Sequence, residues 1–260
     1  MSACGPGLSD PTPFGQENLP DIPSHRANDR SEALGFYADG ALRNAVAMPE
    51  ESPFHVKLFR PRKRAWGTAT LIDTILGAAL TFRRSFPDGD RVQVGDIAAE
   101  YGGQLSLHDS HQNGLDADIA YLRANHHELD PNAWGDRGFE EIFVKSRRVT
   151  KNFDQTRNWF LLRSVVARGN ISRIFVDPEI KRLFCKQSAK IEPMLSEDIR
   201  TEVLRRLRPY PNHDDHFHMR VKCPETSPKC LAQEEPPQGS GCNSIDSYDL
   251  FEHDEMLGRD

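Results

Sequence analysis

Residues Ser106 to Tyr121, SLHDSHQNGLDADIAY, decide the chemistry and much of the fold of this 260-residue chain. The stretch places four candidate metal ligands close together: His108, His111, Asp116 and Asp118. Imidazole and carboxylate groups are the usual ligands of catalytic zinc, which binds three protein groups and keeps one position for water. The stretch therefore predicts one part of a catalytic zinc site.

A second group of histidines lies much further along the chain, in the segment NHDDHFHMRV from Asn212 to Val221. It contains His213, His216 and His218, so five of the ten histidines fall in two short segments. Residues two apart in a strand share a face. If this segment is a strand, His216 and His218 project together, while Phe217 turns into the core.

The first cluster leads into a strand predicted over residues 116–121, where Asp116 and Asp118 also share a face. If the two strands are neighbours, carboxylates and imidazoles converge on one patch of the sheet. His111 lies in the loop before the strand, and Gly114 lets the chain turn towards Asp118. The pattern H-x6-D with H-x-H thus predicts a zinc site of two histidines and one aspartate, with an open position.

The two clusters also contain or adjoin other polar residues. Asp116 is either a ligand or a structural hydrogen-bond acceptor, and both interpretations stay open. Asp214 and Asp215 are interpreted as part of a solvated turn. The histidines outside the two clusters are expected at the surface: His25, His55, His126, His127 and His253.

The amino-acid composition is typical of a globular domain and argues against membrane-spanning and nucleic-acid-binding proteins. A hydrophobic content of 37% and a charged content of 28% are typical of a soluble globular domain. No run approaches the roughly 18 apolar residues that a membrane span needs. The net charge of -6 argues against nucleic acid as the main partner, because nucleic-acid binding usually requires a basic face.

The five cysteines are unevenly placed, with Cys4 near the start and Cys185, Cys223, Cys230 and Cys242 in the last third. None forms a C-x-x-C pair, which argues against a thiolate zinc site or a redox motif. The even set of four is interpreted as two disulfides, with buried free thiols as the alternative. Disulfides imply an oxidising compartment outside the cytoplasm.

The chain divides into three predicted parts. Residues 1–32 are rich in Pro, Gly, Ser and charge and are expected to be a disordered tether. Residues 33–224 form the predicted zinc peptidase domain, and residues 225–260 form a Pro-, Gly- and acid-rich extension stapled by disulfides. Small residues precede Cys4, as at the end of a bacterial lipoprotein signal, so Cys4 is a candidate for lipid attachment.

Hydrophobic periodicity and turn residues predict the secondary structure. Strands are expected over residues 54–59, 91–97, 116–121, 171–176 and 216–221. Helices are expected over residues 68–86, 158–166, 178 to about 185, and from Ser196, the last with Ile199, Val203, Leu204 and Leu207 facing inward.

The two clusters resemble those of the penicillin-insensitive murein endopeptidase family, within the group that includes lysostaphin, the D-alanyl-D-alanine peptidases and the hedgehog signalling domain. The shared motif is H-x6-D, from His111 to Asp118, with His216 and His218 as H-x-H. The similarity extends to other residues in the same order along the chain: Gly35–Gly40, His108, Ser110–Ile119, Arg173–Val176, Pro178, Arg208–Pro209, His213 and the segment KCPETSPKC.

This resemblance implies roles for individual residues. His111, Asp118 and His218 would bind zinc, and His108 would be a further ligand or a hydrogen-bond donor behind the ligands. His216 would be the general base or the group that stabilises the transition state, and His213 would be an assisting group. The family's cysteine pairing translates to Cys223 with Cys230 and Cys185 with Cys242. Some members hold a second metal with an Asp-x-x-His motif, which has no match over residues 136–149.

The expected fold class is α+β, a central antiparallel sheet that carries the zinc site and is flanked by helices, with disulfide-stapled C-terminal loops. The resemblance implies a zinc-dependent murein D,D-endopeptidase that cuts D-alanyl-meso-diaminopimelyl cross-links of peptidoglycan. The location would be the periplasm or the cell envelope. Two alternatives remain: a zinc D,D-carboxypeptidase or dipeptidase acting on muropeptides, and a non-catalytic zinc-containing module that binds the cell wall.

Overall fold

The residues that the structure describes contain twelve strands and four α-helices. The computed structural model describes residues 30–136 and 138–245. The strands are β1 Glu32–Phe36, β2 Asp39–Arg43, β3 Val46–Ala47, β4 His55–Lys57, β5 Trp66–Gly67, β6 Val92–Val94, β7 Asp116–Ala120, β8 Val144–Lys145, β9 Arg148–Val149, β10 Ile171–Val176, β11 Leu207–Pro209 and β12 His216–Val221. The helices are α1 Ala69–Ser85, α2 Gln155–Val166, α3 Pro178–Ile191 and α4 Glu197–Arg206.

Six of the strands form the central sheet, in the order β11-β10-β12-β7-β6-β4. The four inner strands run antiparallel, and the outermost pairs, β10 with β11 and β4 with β6, are parallel. The α+β class with a central antiparallel sheet is therefore confirmed. The two strands predicted to carry the site, β7 and β12, are direct neighbours in the middle of this sheet.

The register between β7 and β12 places His218 opposite Asp118 and Arg220 opposite Asp116. Alternate residues of β12, among them Phe217, point into the hydrophobic core. All five residues of β7 are buried, whereas its polar and apolar alternation predicts a half-buried strand. The difference arises because the aspartate face of β7 is covered by imidazole and guanidinium groups rather than by water.

Helix α1 matches its prediction, because Thr68 caps it by accepting a hydrogen bond from the backbone N–H of Leu71. Helix α2 begins three residues earlier than predicted, since Asp154 rather than a later residue provides the cap. Helix α3 continues beyond Cys185 to Ile191.

Helix α4 follows Ser196 as predicted, and its cap accepts a hydrogen bond from the N–H of Ile199. The side chain of Ile199 is nevertheless 51% exposed, so the prediction that it faces inward is wrong. Ile199 lies in the first turn of the helix, one turn before the buried Val203 on the same face, so the buried part of that face begins only after the first turn. The hairpin of β1 and β2 was not predicted at all.

Several predicted features lie outside the described residues. These are the tether up to residue 29 with Cys4 and His25, and the tail from residue 246 with His253. The three-part division of the chain stays a prediction. No helix within the described ranges is both long enough and apolar enough to cross a bilayer.

Two disulfides connect the C-terminal segment to itself and to α3. Cys185 is bonded to Cys242 and Cys223 to Cys230, with Cα atoms 5.8 Å apart in both pairs. The pairing implied by the resemblance is confirmed. The first bond ties α3 to a segment without regular secondary structure, and the second closes a short loop next to β12.

The two disulfides should stabilise the fold unequally, because chain entropy makes a cross-link stronger when it closes a longer loop. The Cys185–Cys242 bond spans 57 residues and the Cys223–Cys230 bond spans 7. We expect Cys185→Ser with Cys242→Ser to lower the free energy of unfolding by about 4 kcal/mol, and Cys223→Ser with Cys230→Ser by about 2 kcal/mol. Urea denaturation measures both, and equal losses would contradict the entropic account.

Candidate metal centre

The carboxylate of Asp118, on β7, lies at the centre of a group of imidazole rings. Its Oδ1 atom is 3.2 Å from His111 Nε2, 3.6 Å from His216 Nε2 and 3.7 Å from His218 Nδ1. Its Oδ2 atom is 3.8 Å from His108 Nδ1. The structure therefore brings together, around one carboxylate, four of the histidines that the sequence singles out.

In each of these rings, one nitrogen faces Asp118 and the other nitrogen contacts an oxygen atom. His111 Nδ1 donates to Ile97 O at 2.6 Å, and His218 Nε2 donates to Asp116 Oδ1 at 2.6 Å. His216 Nδ1 lies 2.5 Å from Oδ1 of the adjacent residue, Asp215. These bonds select the tautomer whose second nitrogen offers a lone pair to the centre, as in the outer layer of metal sites.

The spacing of the donor atoms fits a tetrahedral metal ion. Two ligands about 2.0–2.2 Å from such an ion lie roughly 3.3–3.6 Å apart. One ligand atom each of His108, His111 and Asp118 falls within 4.8 Å of the others. Within the described ranges, His111 Nε2 and Asp118 Oδ1 are also buried atoms without a hydrogen-bond partner. A bound cation would satisfy both atoms, so the residues present fit a metal.

The backbone before β7 adopts unusual conformations at the centre. His111 has φ +65° and Gly114 has φ +73°. A Cβ atom at Gly114 would lie 2.8 Å from the side chain of Leu42, so only glycine fits there. The turn that the sequence predicts at Gly114 therefore brings His111 back over Asp118.

Charges around the centre favour an ionised aspartate and shift the pKa values of the imidazoles in different directions. Burial would lower the pKa of His111, but Asp118 outweighs burial and raises that pKa to about 9. Burial favours the neutral carboxyl group, but His111 and His216 outweigh it and hold the pKa of Asp118 well below its usual value. Burial and the neighbouring His111 lower the pKa of His218 to about 4. Burial and His216 lower the pKa of His213 to about 3. His213 and His218 are therefore neutral near pH 7, the form that binds metals and accepts protons.

Asp116 accepts two hydrogen bonds behind the centre, which favours the acceptor interpretation over the ligand interpretation. Its Oδ1 atom accepts from His218 Nε2 at 2.6 Å and from Arg220 Nε at 2.7 Å. The guanidinium of Arg220 also stacks on the ring of Tyr37. Asp116 thus connects a ring of the centre to a buried cation.

Asp215 is a site residue that the sequence interpretation missed, because it was taken as part of a solvated turn. Its Oδ1 atom contacts His216 Nδ1, and its Oδ2 atom accepts from the backbone N–H of Phe139 at 3.2 Å. The ring of Phe139 stacks on His216 with centroids 4.8 Å apart. Burial lowers the pKa of His216, but the carboxylates of Asp118 and Asp215 outweigh it and raise the pKa. Asp215 therefore orients His216 and increases its basicity.

Asp96 is a second missed residue, and it anchors His108. Its Oδ2 atom accepts from His108 Nε2 at 3.1 Å, from Arg62 Nη1 at 2.7 Å and from Arg64 Nη1 at 2.9 Å. The side chain of Asp96 is 1% exposed. Arg62 also donates to Trp134 O and Arg64 to Ser106 Oγ, so these contacts join the loops on both sides of the centre.

Comparison with known proteins agrees with this geometry. A sequence profile of the penicillin-insensitive murein endopeptidases matches residues 33–256. The chain belongs to this family. Membership makes it a peptidase and hence a hydrolase.

Relatives that carry the name penicillin-insensitive murein endopeptidase cover most of the chain. The one from Haemophilus influenzae is 29% identical over 232 residues, which are 89% of this chain and 76% of the relative. The one from Yersinia enterocolitica is 28% identical over 222 residues, 85% of this chain and 77% of the relative. The one from Escherichia coli O157:H7 is 25% identical over 215 residues, 82% of this chain and 74% of the relative.

The histidines outside the metal centre differ in their exposure to solvent. His126 and His127 are exposed, as predicted. His55 is 1% exposed, so the prediction of a surface position is wrong. Its Nδ1 lies 2.7 Å from Ser52 Oγ and its Nε2 lies 3.1 Å from Pro49 O, which satisfies both nitrogens inside the protein.

The Asp96 contacts should make stability depend on pH in acid. Burial would raise the pKa of Asp96, but His108 and Arg62 lower it from 3.8 to about 2. The ionised carboxylate therefore stabilises the fold fully above about pH 4, and this stabilisation is lost as the pH falls through about 2. We expect Asp96→Asn to lower the free energy of unfolding by about 2 kcal/mol at pH 7 and by much less at pH 2.

The matched control for this variant is Asp88→Asn, at an exposed position in the turn after α1. It should change stability by less than about 0.5 kcal/mol at either pH. Denaturant titrations at several pH values measure the difference between each variant and the unaltered protein. A loss at Asp96 that is the same at pH 7 and pH 2 would show that charge is not its cause.

Proposed function

We propose that this protein is a zinc-dependent murein D,D-endopeptidase, which hydrolyses D-alanyl-meso-diaminopimelyl cross-links in peptidoglycan. The observation that carries the proposal is the convergence of three imidazole nitrogens on one oxygen of Asp118, at 3.2 to 3.7 Å. Family membership and the names of the relatives support murein as the substrate. The two disulfides support a location outside the cytoplasm, in the periplasm or cell envelope.

His111, Asp118 and His218 are the proposed zinc ligands, and His108 is a fourth donor beside them. Support comes from the donor atoms of His108, His111 and Asp118, which lie within 4.8 Å of one another, and from His218 Nδ1, which is 3.7 Å from Asp118 Oδ1. The rings of His111 and His218 are also oriented by oxygen atoms that accept hydrogen bonds from their other nitrogens. Zinc bound there would lower the pKa of a water molecule towards about 7 and polarise the scissile carbonyl group.

His216 is the proposed general base. Its Nδ1 is held by Asp215, which leaves the Nε2 lone pair facing the centre. The Nε2 atom takes a proton from the attacking water and later donates it to the amine that leaves when the C–N bond breaks. The stacked ring of Phe139 keeps the imidazole in this orientation. A module that only bound the cell wall would have no use for such a paired base.

His213 is the proposed assisting group. Its Nδ1 donates to Pro211 O at 2.9 Å, and its ring centroid is 5.1 Å from that of His216. Because its pKa is lowered to about 3, it stays neutral near pH 7. A neutral ring with one nitrogen occupied can accept a hydrogen bond through Nε2 from the substrate or from water.

The zinc assignment predicts the metal content of variants. We expect about one zinc per chain in the purified protein, since one set of donors converges on Asp118. His218→Ala should lose the metal and the activity, because it removes one proposed ligand. The exposed His127→Ala is the control and should keep both. Elemental analysis measures the zinc, and full occupancy in His218→Ala would refute the assignment.

If His216 is the general base and does not bind zinc, its removal should lower the rate without removing the metal. His216→Ala should keep zinc and the fold while losing roughly 10²- to 10⁴-fold in kcat, the usual range for general acid–base catalysis. The measurement is the release of monomers from a purified cross-linked muropeptide dimer, followed by mass spectrometry. A wild-type rate in this variant would place the base elsewhere, with His213 as the next candidate.

The same assay separates the proposed function from its alternatives. An endopeptidase converts cross-linked dimers into monomers. A carboxypeptidase removes only terminal D-alanine and leaves the dimer joined. Binding of sacculi without either product, at full zinc occupancy, would favour the non-catalytic module.

A further inference from the structure

The β8–β9 hairpin carries a concentration of positive charge that the proposed chemistry does not use. Lys145, Arg147, Arg148 and Lys151 fall within seven residues, and all four side chains are exposed. The protein as a whole has a net charge of -6. The hairpin is therefore a basic element on an acidic protein.

Most of these cations have no acidic partner among the residues that the structure describes. Arg147 pairs with Glu179 at 3.2 Å, but the Arg147 side chain is 80% exposed, so water screens this pair. Lys145, Arg148 and Lys151 form no ion pair with any residue in 30–136 or 138–245. Three charges are thus available to an external anion.

The turn of the hairpin is conformationally unfavourable for its residues. Ser146 and Arg147 both have positive φ, +50° and +58°. A two-residue turn with positive φ at both positions favours Asn-Gly, because other residues resist this conformation. Backbone strain of this kind, kept at an exposed tip, is typical of functional segments.

The base of the hairpin is fixed beside the metal centre. Phe143, which precedes β8, is fully buried and packs edge-on against Tyr121, with ring centroids 6.0 Å apart. Its backbone N–H donates to Asp214 O at 2.7 Å. Asp214 lies two residues before His216. The charges at the tip therefore have a defined position relative to the proposed base.

We propose that the β8–β9 hairpin is an electrostatic docking element for the carboxylates on the peptide stems of peptidoglycan. This inference rests on the proposed function. Peptidoglycan repeats its carboxylates along a polymer, so several weak contacts with exposed cations add to a useful affinity. A docking element next to the centre would raise the concentration of cross-links there, and it would act on polymer more than on isolated fragments.

The test compares two charge reversals of equal size. The hairpin variant is Lys145→Glu with Arg148→Glu, and the control is Lys186→Glu with Lys190→Glu, two exposed positions on α3. Binding is measured by cosedimentation with purified sacculi on ice at low and high salt. We expect the hairpin variant to bind roughly tenfold more weakly at low salt and to lose most of its salt dependence, with the control close to wild type.

Kinetics provide a second readout that folding defects would not reproduce. On sacculi, the hairpin variant should have a raised KM and an unchanged kcat, because it lacks docking but keeps the metal centre. On a soluble muropeptide dimer, kcat/KM should change by less than about twofold, since few carboxylates are present. Equal loss on both substrates would overturn the inference, as would sacculus binding and salt dependence equal to wild type.

Anionic lipid vesicles separate the proposed partner from a membrane. If the hairpin variant loses binding to phosphatidylglycerol vesicles but binds sacculi like wild type, the partner is a membrane and the inference fails. If wild type cleaves no cross-link, yet the hairpin variant still loses sacculus binding, the proposed function fails while the docking element stands.

Discussion

The site depends on one buried carboxylate, that of Asp118, which three imidazole nitrogens approach within 3.7 Å. A buried charge is unfavourable unless it is paired, and here strand pairing provides the partners. The register of β7 and β12 sets His218 opposite Asp118. A slip of one residue would turn the histidines of β12 into the core and the apolar residues towards the carboxylate. The hydrophobic alternation of β12 therefore determines both the strand register and which side chains face Asp118.

A second layer of charge keeps this centre rigid. Asp96, Asp116 and Asp215 each hold one ring, and each is itself held by an arginine or a backbone N–H. These three aspartates come from different parts of the chain, so no single loop controls the geometry. The rings are oriented before any metal or substrate arrives, which reduces the reorganisation that binding and catalysis would otherwise require.

The parts of this arrangement that could be predicted from the sequence are the local ones. The spacing of His111 and Asp118 indicates candidate ligands. The alternation around His216 predicts a strand, because residues two apart in a strand share a face. Asp215 was missed because two aspartates before a strand look like a solvated turn. Its partner, the N–H of Phe139, is 76 residues away in the sequence, and a local sequence pattern cannot predict a contact over that separation. The burial of His55 depends equally on backbone contacts that form only in the folded chain.

The first and last segments of the domain are hydrogen-bonded to each other, which constrains how the chain can fold. Gly35 N donates to Lys229 O, Leu231 N donates to Gly35 O, and Ala33 N donates to Ser227 Oγ across 194 residues of sequence. During synthesis, β1 emerges from the ribosome long before its C-terminal partners. The β1–β2 hairpin therefore cannot reach its final position until nearly the whole domain is available. Such long-range closure is typical of slow folding, and the unfinished domain would expose its N-terminal strands to chaperones and proteases.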